Sequence, residues 1–233
     1  MTKLQELFPN VDFQMMWVAT QETLYMTLVS LFAVFLLGIV LGLLLFLTNN
    51  KKHAGARILY WITAILVNVF RSIPFIILIV LLLPMTKSLV GTVIGPKAAL
   101  PALIISAAPF YGRMVEIAFR EVDKGVIEAA KSMGANMFTI IGKVLIPEAL
   151  PAIISGITVT AISLVGFTAM AGVIGAGGLG NTAYLEGFQR GQPDVTVLAT
   201  IIILIIVFIF QFIGDFLTKR TDKRQPMYMK KFI

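Results

Sequence analysis

The chain has no cysteine and a single histidine, His53. Disulfide bonds, thiol catalysis and iron–sulfur centres are excluded by composition, and Cys/His zinc sites nearly so. Charge is scarce as well: 13% of the 233 residues are charged, against 58% hydrophobic, and the mean hydropathy is +0.92. A soluble globule of this size needs more polar surface, so the chain belongs in a membrane. No GxxxxGK[ST] phosphate loop exists, because Gly142-Lys143 is followed by Val144, so the chain is not expected to bind ATP itself. Clustered acids, histidines or a nucleophile with its base are missing too. The expectation is a non-catalytic chain with no cofactor and no metal site.

Long apolar runs are what the sequence has in abundance. A bilayer core of about 30 Å takes about 20 helical residues to cross. Five stretches qualify: residues 20–48, 58–83, 98–118, 149–171 and 195–217. The third is the weakest, with Pro101 and Pro109 inside it and Arg113 and Glu116 near its end. From Ala149 to Leu185 there is no charge, which is more than one crossing needs. The glycine-dense stretch Gly172 to Gly180 is therefore expected to end a helix near Ala171 and leave a re-entrant or interfacial segment behind it. Residues 1–19, with Lys3, Glu6 and Asp12, read as an extracytoplasmic tail. The run behind them is too long for a signal-peptide core and lacks a small-x-small cleavage pattern, so it is expected to remain as a span. Residues 20–218 then form one transmembrane domain and 219–233 a basic tail, and the fold class is an all-α polytopic membrane protein.

The net charge of +7 raises the question of nucleic acid, but the charges fall between apolar runs and orient the chain instead. With Arg71 set aside, four Lys/Arg lie on the side of the N-terminal tail and fourteen on the other. The positive-inside rule puts the N-terminus outside and the C-terminus in the cytoplasm. His53, beside Lys51 and Lys52, reads as a solvated cytoplasmic-loop residue. The 11 methionines say nothing about a substrate, since thioethers are common filler in apolar helices.

The most informative segment is the cytoplasmic loop 126–147. Val126, Ala130, Met133, Met137, Ile140 and Val144 recur at spacings of three and four, which is one face of a helix. Gly134 lies mid-pattern, so two short helices with a turn are as compatible as one continuous helix. Pro147 cannot donate within a helix and immediately precedes the fourth span. Pattern alone is equally met by an amphipathic helix lying in the membrane interface.

Glu128-Ala129-Ala130, three residues, Gly134, nine residues, then Val144-Leu145-Ile146-Pro147 resembles the EAA loop of ATP-binding-cassette importer permeases, E-A-A-x3-G-x9-I-x-L-P. Val144 for Ile and Ile146 for Leu are conservative departures. The resemblance implies an importer-type permease fold in which Glu128, Ala129, Ala130, Gly134 and Pro147 belong to a coupling helix that docks on an ATP-hydrolysing subunit. Small Ala129 and Ala130 would allow close approach, Glu128 would offer a charge to a partner Arg or Lys, and Gly134 would supply the turn. Asn68 to Phe75, Ala107 to Glu116, Glu148 to Pro151 and Gly175 to Gly180 further resemble the methionine-uptake permeases of bacterial importers, so that nearly the whole chain takes part. That implies import of methionine, L or D, across the bacterial cytoplasmic membrane, with another amino acid or small organic solute as the alternative. It also implies two ATPase subunits that use ATP and Mg, and an extracytoplasmic substrate-binding protein. Five spans are few for enclosing an aqueous path, so a homodimer is expected.

Arg71 stands out without any resemblance. A cation in mid-span costs about 2.5–3.5 kcal/mol on insertion scales and must face a partner or a wet cavity. A break at Pro74 would free carbonyls near Ser72 and Arg71. Two readings stand: a pathway residue that meets a substrate carboxylate or structures the cavity, or a span shorter than drawn, with Arg71 near its end or paired to the carboxylates of the EAA side. Phe167 and Met170, near the outer leaflet, suit either a seal on a central path or ordinary helix packing. Gly175-x-Gly177-x-x-Gly180, with Asp194 beyond it, formally matches the dinucleotide fingerprint but lacks the strand and helix that motif needs. Close packing or flexing of helices is the better use for these glycines. An ion-coupled secondary transporter would carry acids within its span cores, where none is found. A scaffold subunit would leave the EAA spacing unexplained.

Overall fold

The computed structural model describes residues 8–49 and 53–222. Lys3, Glu6, Lys51, Lys52 and the tail beyond Asp222, which carry part of the expected charge asymmetry, lie outside the described residues. Five helical stretches are long and apolar enough to cross a membrane: Phe13–Thr48, Ala54–Ser72, Pro96–Arg120, Met137–Ala176 and Pro193–Thr221. The number agrees with the hydropathy reading; three of the boundaries do not.

Helix α1 (Phe13–Thr48) starts well before residue 20, because the Asp12 carboxylate accepts the backbone N–H of Gln14 at 2.9 Å and of Met15 at 3.1 Å. The end of the expected tail is thus helical, and Glu22, near the start of the stretch 20–48, lies well inside the helix. The second run, expected unbroken over 58–83, divides into α2 (Ala54–Ser72), α3 (Phe75–Leu81) and α4 (Leu83–Val90). The cause is Pro74: the residue before a proline is driven out of the helical region, and Ile73 sits at φ −81, ψ 122. Helix α5 (Pro96–Arg120) carries Pro101 and Pro109 inside it and is the most enclosed element.

Two short helices follow, α6 (Lys124–Ser132) and α7 (Met137–Ile140). The chain then runs through a wide turn at Ile141–Leu145 into α8 (Ile146–Ala171). Pro147 was expected to mark the start of the fourth span, but the helix continues past it. The wide turn explains how: Ile146 N–H bonds the Ile141 carbonyl, so the ladder has already skipped a residue where Pro147 offers no donor. Beyond a second wide turn (Gly172–Ala176) the chain reverses into α9 (Gly178–Asn181), which runs on as a wide helical stretch to Gln189 and is followed by α10 (Pro193–Thr221).

α1 and α5 pack backbone to backbone at the centre. A Cβ at Gly38 would lie 2.3 Å from Tyr111 Cδ1, and one at Gly42 would lie 2.5 Å from Val115 Cγ1. Glycines four apart let two membrane helices approach where lipid provides no hydrophobic drive between them. α8 packs on α5 and α10 on α8, with Gly214 under Thr158. α2 is peripheral, with only Thr63 and Val67 buried and most of its large apolar residues exposed. The α6–α7 turn marks one end of the bundle; the Gly172–Gly191 reversal and the Gly91–Gly95 loop mark the other, joined by Gly95 N–H to the Gly175 carbonyl at 2.9 Å.

Candidate functional site

The loop with the EAA spacing is built as two helices around a turn. Asp123 caps α6 by accepting Gly125 N–H at 2.7 Å. Gly134 ends the helix in the left-handed region at φ +81. Its N–H bonds the Lys131 carbonyl at 2.9 Å and Ala135 N–H bonds Ala130 at 3.1 Å, the paired closing bonds of a Schellman turn. Asn136 then caps α7 by accepting Thr139 N–H at 2.8 Å.

This geometry sorts the expected coupling residues. Glu128 and Ala129 are exposed, and Ala130 is buried at 6% exposure. Ala130 therefore serves packing inside the chain, and only Ala129 of the pair offers a small surface outward. Glu128 lies with Lys124, Ile127 and Lys131 along a cavity of 290 Å³ that separates α6 from the end of α1 at Phe46, Leu47 and Asn49. Pro147 is exposed and remote from the Gly134 turn along the helix. The regular apolar face does not survive: Ala130 and Ile140 are buried, whereas Met133 is 82% exposed because the helix has ended beneath it. Phe138, off that face in the sequence pattern, is 88% exposed. No periodicity signals such a residue, because its exposure follows from the reversal at Gly134.

At mid-bundle, Arg71, Pro74 and Phe167 line one cavity of 390 Å³, with Ser106 and Phe110 of α5 and Thr160 and Ser163 of α8. Arg71 sits in the last turn of α2, where the carbonyl-rich helix end favours a cation, and its guanidinium carbon lies 5.9 Å from the centre of the Phe110 ring. It has no carboxylate within ion-pairing distance among the described residues, so pairing with the EAA-side acids does not occur. The span is shorter than drawn, and yet Arg71 faces a cavity: each of the two readings holds one part of the arrangement. Phe167 stacks on Phe75 with ring centres 4.7 Å apart and planes within 13°. Ser72 belongs to the same break but donates to the Asn68 carbonyl at 2.8 Å and is not part of the cavity lining. Met170 is 48% exposed and also outside it. Thr160 and Ser163 donate back to Gly156 and Val159 carbonyls, leaving their oxygens free to accept. A guanidinium, hydroxyl acceptors and aromatic walls can hold a zwitterion. They offer no nucleophile–base pair for covalent chemistry.

Residues 38–225 match the family described as the binding-protein-dependent transport system inner membrane component. The chain belongs to that family. It is 64% identical over 220 residues, 94% of this chain and 99% of the relative, to the methionine import system permease protein MetP of Bacillus subtilis. With the D-methionine transport system permease protein MetI of Escherichia coli it shares 47% over 161 residues, 68% of this chain and 74% of that one. Among solved structures it matches one of the inward-facing MetNI methionine ABC transporter at a TM-score of 0.87 and 42% identity, covering 91% of this chain and 98% of the other. As a member of that family, the chain is a multi-pass membrane protein, the inner membrane component of a transport system.

One cluster in this family member escaped sequence reasoning. Glu116 is fully buried and its two carboxylate oxygens pair with Arg113 and Arg120, tying three charges along one side of α5 next to α6. The signal was present as Arg, Glu and Arg at spacings of three and four, but only burial reveals the acid as the shared centre. Gly177 and Gly180 do serve close packing: a Cβ at Gly180 would lie 2.4 Å from Ala169 Cα and one at Gly177 2.5 Å from Glu22 Oε2, whereas Gly175 meets nothing nearer than 3.9 Å and serves the turn at φ +97.

Proposed function

We propose that this chain is the permease subunit of an ATP-driven importer that carries methionine across the bacterial cytoplasmic membrane. The observation that carries this reading is the likeness to methionine import permeases over nearly the whole length of both chains. The N-terminus lies outside and the C-terminus inside, which puts α6 and α7 in the cytoplasm. Two copies surround the pathway, and two ATPase subunits using ATP and Mg dock beneath them. The coupling surface is Glu128, Ala129 and the Gly134 turn, extended by Met133 and Phe138. Exposed large apolar side chains beside charged ones are the composition of a partner-binding patch.

ATP-driven closure of the partners shifts the permease toward an outward-open state, and hydrolysis returns it. The Arg71 cavity belongs to the pathway: the guanidinium meets the substrate carboxylate, and the Ser106, Thr160 and Ser163 side chains present acceptors to its ammonium. The Phe75–Phe167 stack closes the outer side, with Met170 next to it. An extracytoplasmic binding protein delivers the amino acid. Proteoliposomes holding this chain with its ATPase should take up labelled methionine only with both ATP and the binding protein. Uptake by the chain alone, without ATP, would reject the reading.

A further inference from the structure

The reversal after α8 ends in left-handed glycines, Gly175 at φ +97, Gly177 at +81 and Gly178 at +78. They turn the first N–H groups of α9 back toward α1. There the Glu22 carboxylate accepts Gly178 N–H at 2.7 Å, and Thr23 Oγ1 accepts Leu179 N–H at 2.9 Å. A helix cannot satisfy its own first four N–H groups. The residue before α9, Gly177, has no side chain to help, so two are satisfied by residues 156 positions away. The fit is closed: a Cβ at Gly177 would lie 2.5 Å from Glu22 Oε2, and one at Gly178 would lie 2.7 Å from Thr23 Oγ1. On its other side α9 is braced against the end of α8, since a Cβ at Gly172 would lie 2.4 Å from Asn181 N. The last turns of α8, which carry Phe167, are therefore tied through α9 to α1. Phe75, the stacking partner of Phe167, opens α3 directly after the Ile73–Pro74 break. Among the described residues no side-chain hydrogen bond joins α3 to another helix.

We infer that Glu22 and Thr23 are positioning residues of the outer closure: they hold the Phe167 half fixed on α1, while the Phe75 half moves at the Ile73–Pro74 joint. This rests on the importer reading above. Glu22 lies within the first span, and its use here is as a hydrogen-bond acceptor, with no ion in transit. Losing a charged acceptor should shift the closed-to-open ratio about tenfold or more toward open.

The test uses the whole complex in liposomes preloaded with labelled methionine, without ATP, with leak normalised to the ATPase subunit that co-purifies. Glu22→Ala should leak about tenfold faster than wild type, Thr23→Ala less, and Glu22→Gln, whose amide oxygen still accepts, should be nearly tight. Spin labels replacing Tyr25 and Tyr184, placed in a chain without cysteines of its own and present in only one of the two copies, should give one within-chain distance that stays the same in nucleotide-free and ATP-trapped complexes. Glu22→Ala should broaden it. A tight Glu22→Ala variant with the wild-type distance, or a wild-type distance that changes between the two states, overturns the inference. A wild-type complex with no ATP-dependent uptake fails the importer reading instead, and the label distances still judge the clamp.

Discussion

Substitution of Gly134 tests whether the turn between α6 and α7 transmits ATP hydrolysis to transport, and the structure supplies the magnitude. Gly134 lies at φ +81, and nothing stands within 4 Å of a Cβ built there. Side-chain bulk as such therefore meets no obstacle within the chain. What an L-residue meets is the left-handed backbone, at about 1–2 kcal/mol for alanine, less for asparagine, and more for a β-branched residue. The penalty falls on a turn closed by only two backbone bonds, from Gly134 to Lys131 and from Ala135 to Ala130. At about 1.4 kcal/mol per factor of ten, Gly134→Ala should deplete the docked turn about tenfold and Gly134→Val further. The readout is methionine taken up per ATP hydrolysed by the reconstituted complex. Coupling should fall in the order Gly, Asn, Ala, Val, with ATP hydrolysis persisting while uptake declines. A Gly134→Val variant with wild-type coupling, or an asparagine variant worse than alanine, would refute the reasoning, because the first needs no left-handed turn and the second needs a steric cause that the structure lacks.

Three further outcomes are expected. Phe138→Asp should weaken retention of the ATPase subunit on an affinity-tagged permease about tenfold to a hundredfold, the equivalent of one buried phenylalanine side chain; full retention would remove Phe138 from the coupling surface. Arg71→Gln should lower methionine uptake with assembly kept, and Arg71→Lys should fall between, since it keeps the charge and loses the planar face over Phe110; equal uptake by all three would separate Arg71 from the pathway. Gly42→Ala should cost about 1–3 kcal/mol by forcing α1 from α5, read as a lower midpoint in thermal unfolding of the purified complex. An unchanged midpoint would show that the two helices part freely.

Hydropathy and charge run along the chain, and what depends on them was legible there. The count of spans and the helical end near Ala171 each follow from a property of neighbouring residues, run length and glycine density, whereas at Gly134 the interrupted period left one helix and two helices with a turn equally open. Pro74 reads as a break, but the sequence left open whether the second run ends there, as it does at Ser72 with Arg71 in the last helical turn. Pro147 went the other way. A proline near a helix start stops the ladder only if the chain does not loosen first, and the wide turn at Ile141–Leu145 is such a loosening.

The functional surfaces were less legible. Ala129 and Ala130 are neighbours of one residue type, and only the docking of α6 on the bundle turns one inward and the other outward. The Arg71 cavity draws on α2, α3, α5 and α8, and Glu22 finds its partner at Gly178. By itself the sequence determined that this is a five-span helical membrane protein with a loop of EAA spacing, because apolar length and short-range spacing are what select helices in a bilayer. The tertiary structure alone decided which cation faces a cavity, which alanine is buried, and which acid ties the glycine turn to the first helix. Those depend on surfaces brought together from distant parts of the chain, and no local pattern encodes the identity of a neighbour 156 residues away.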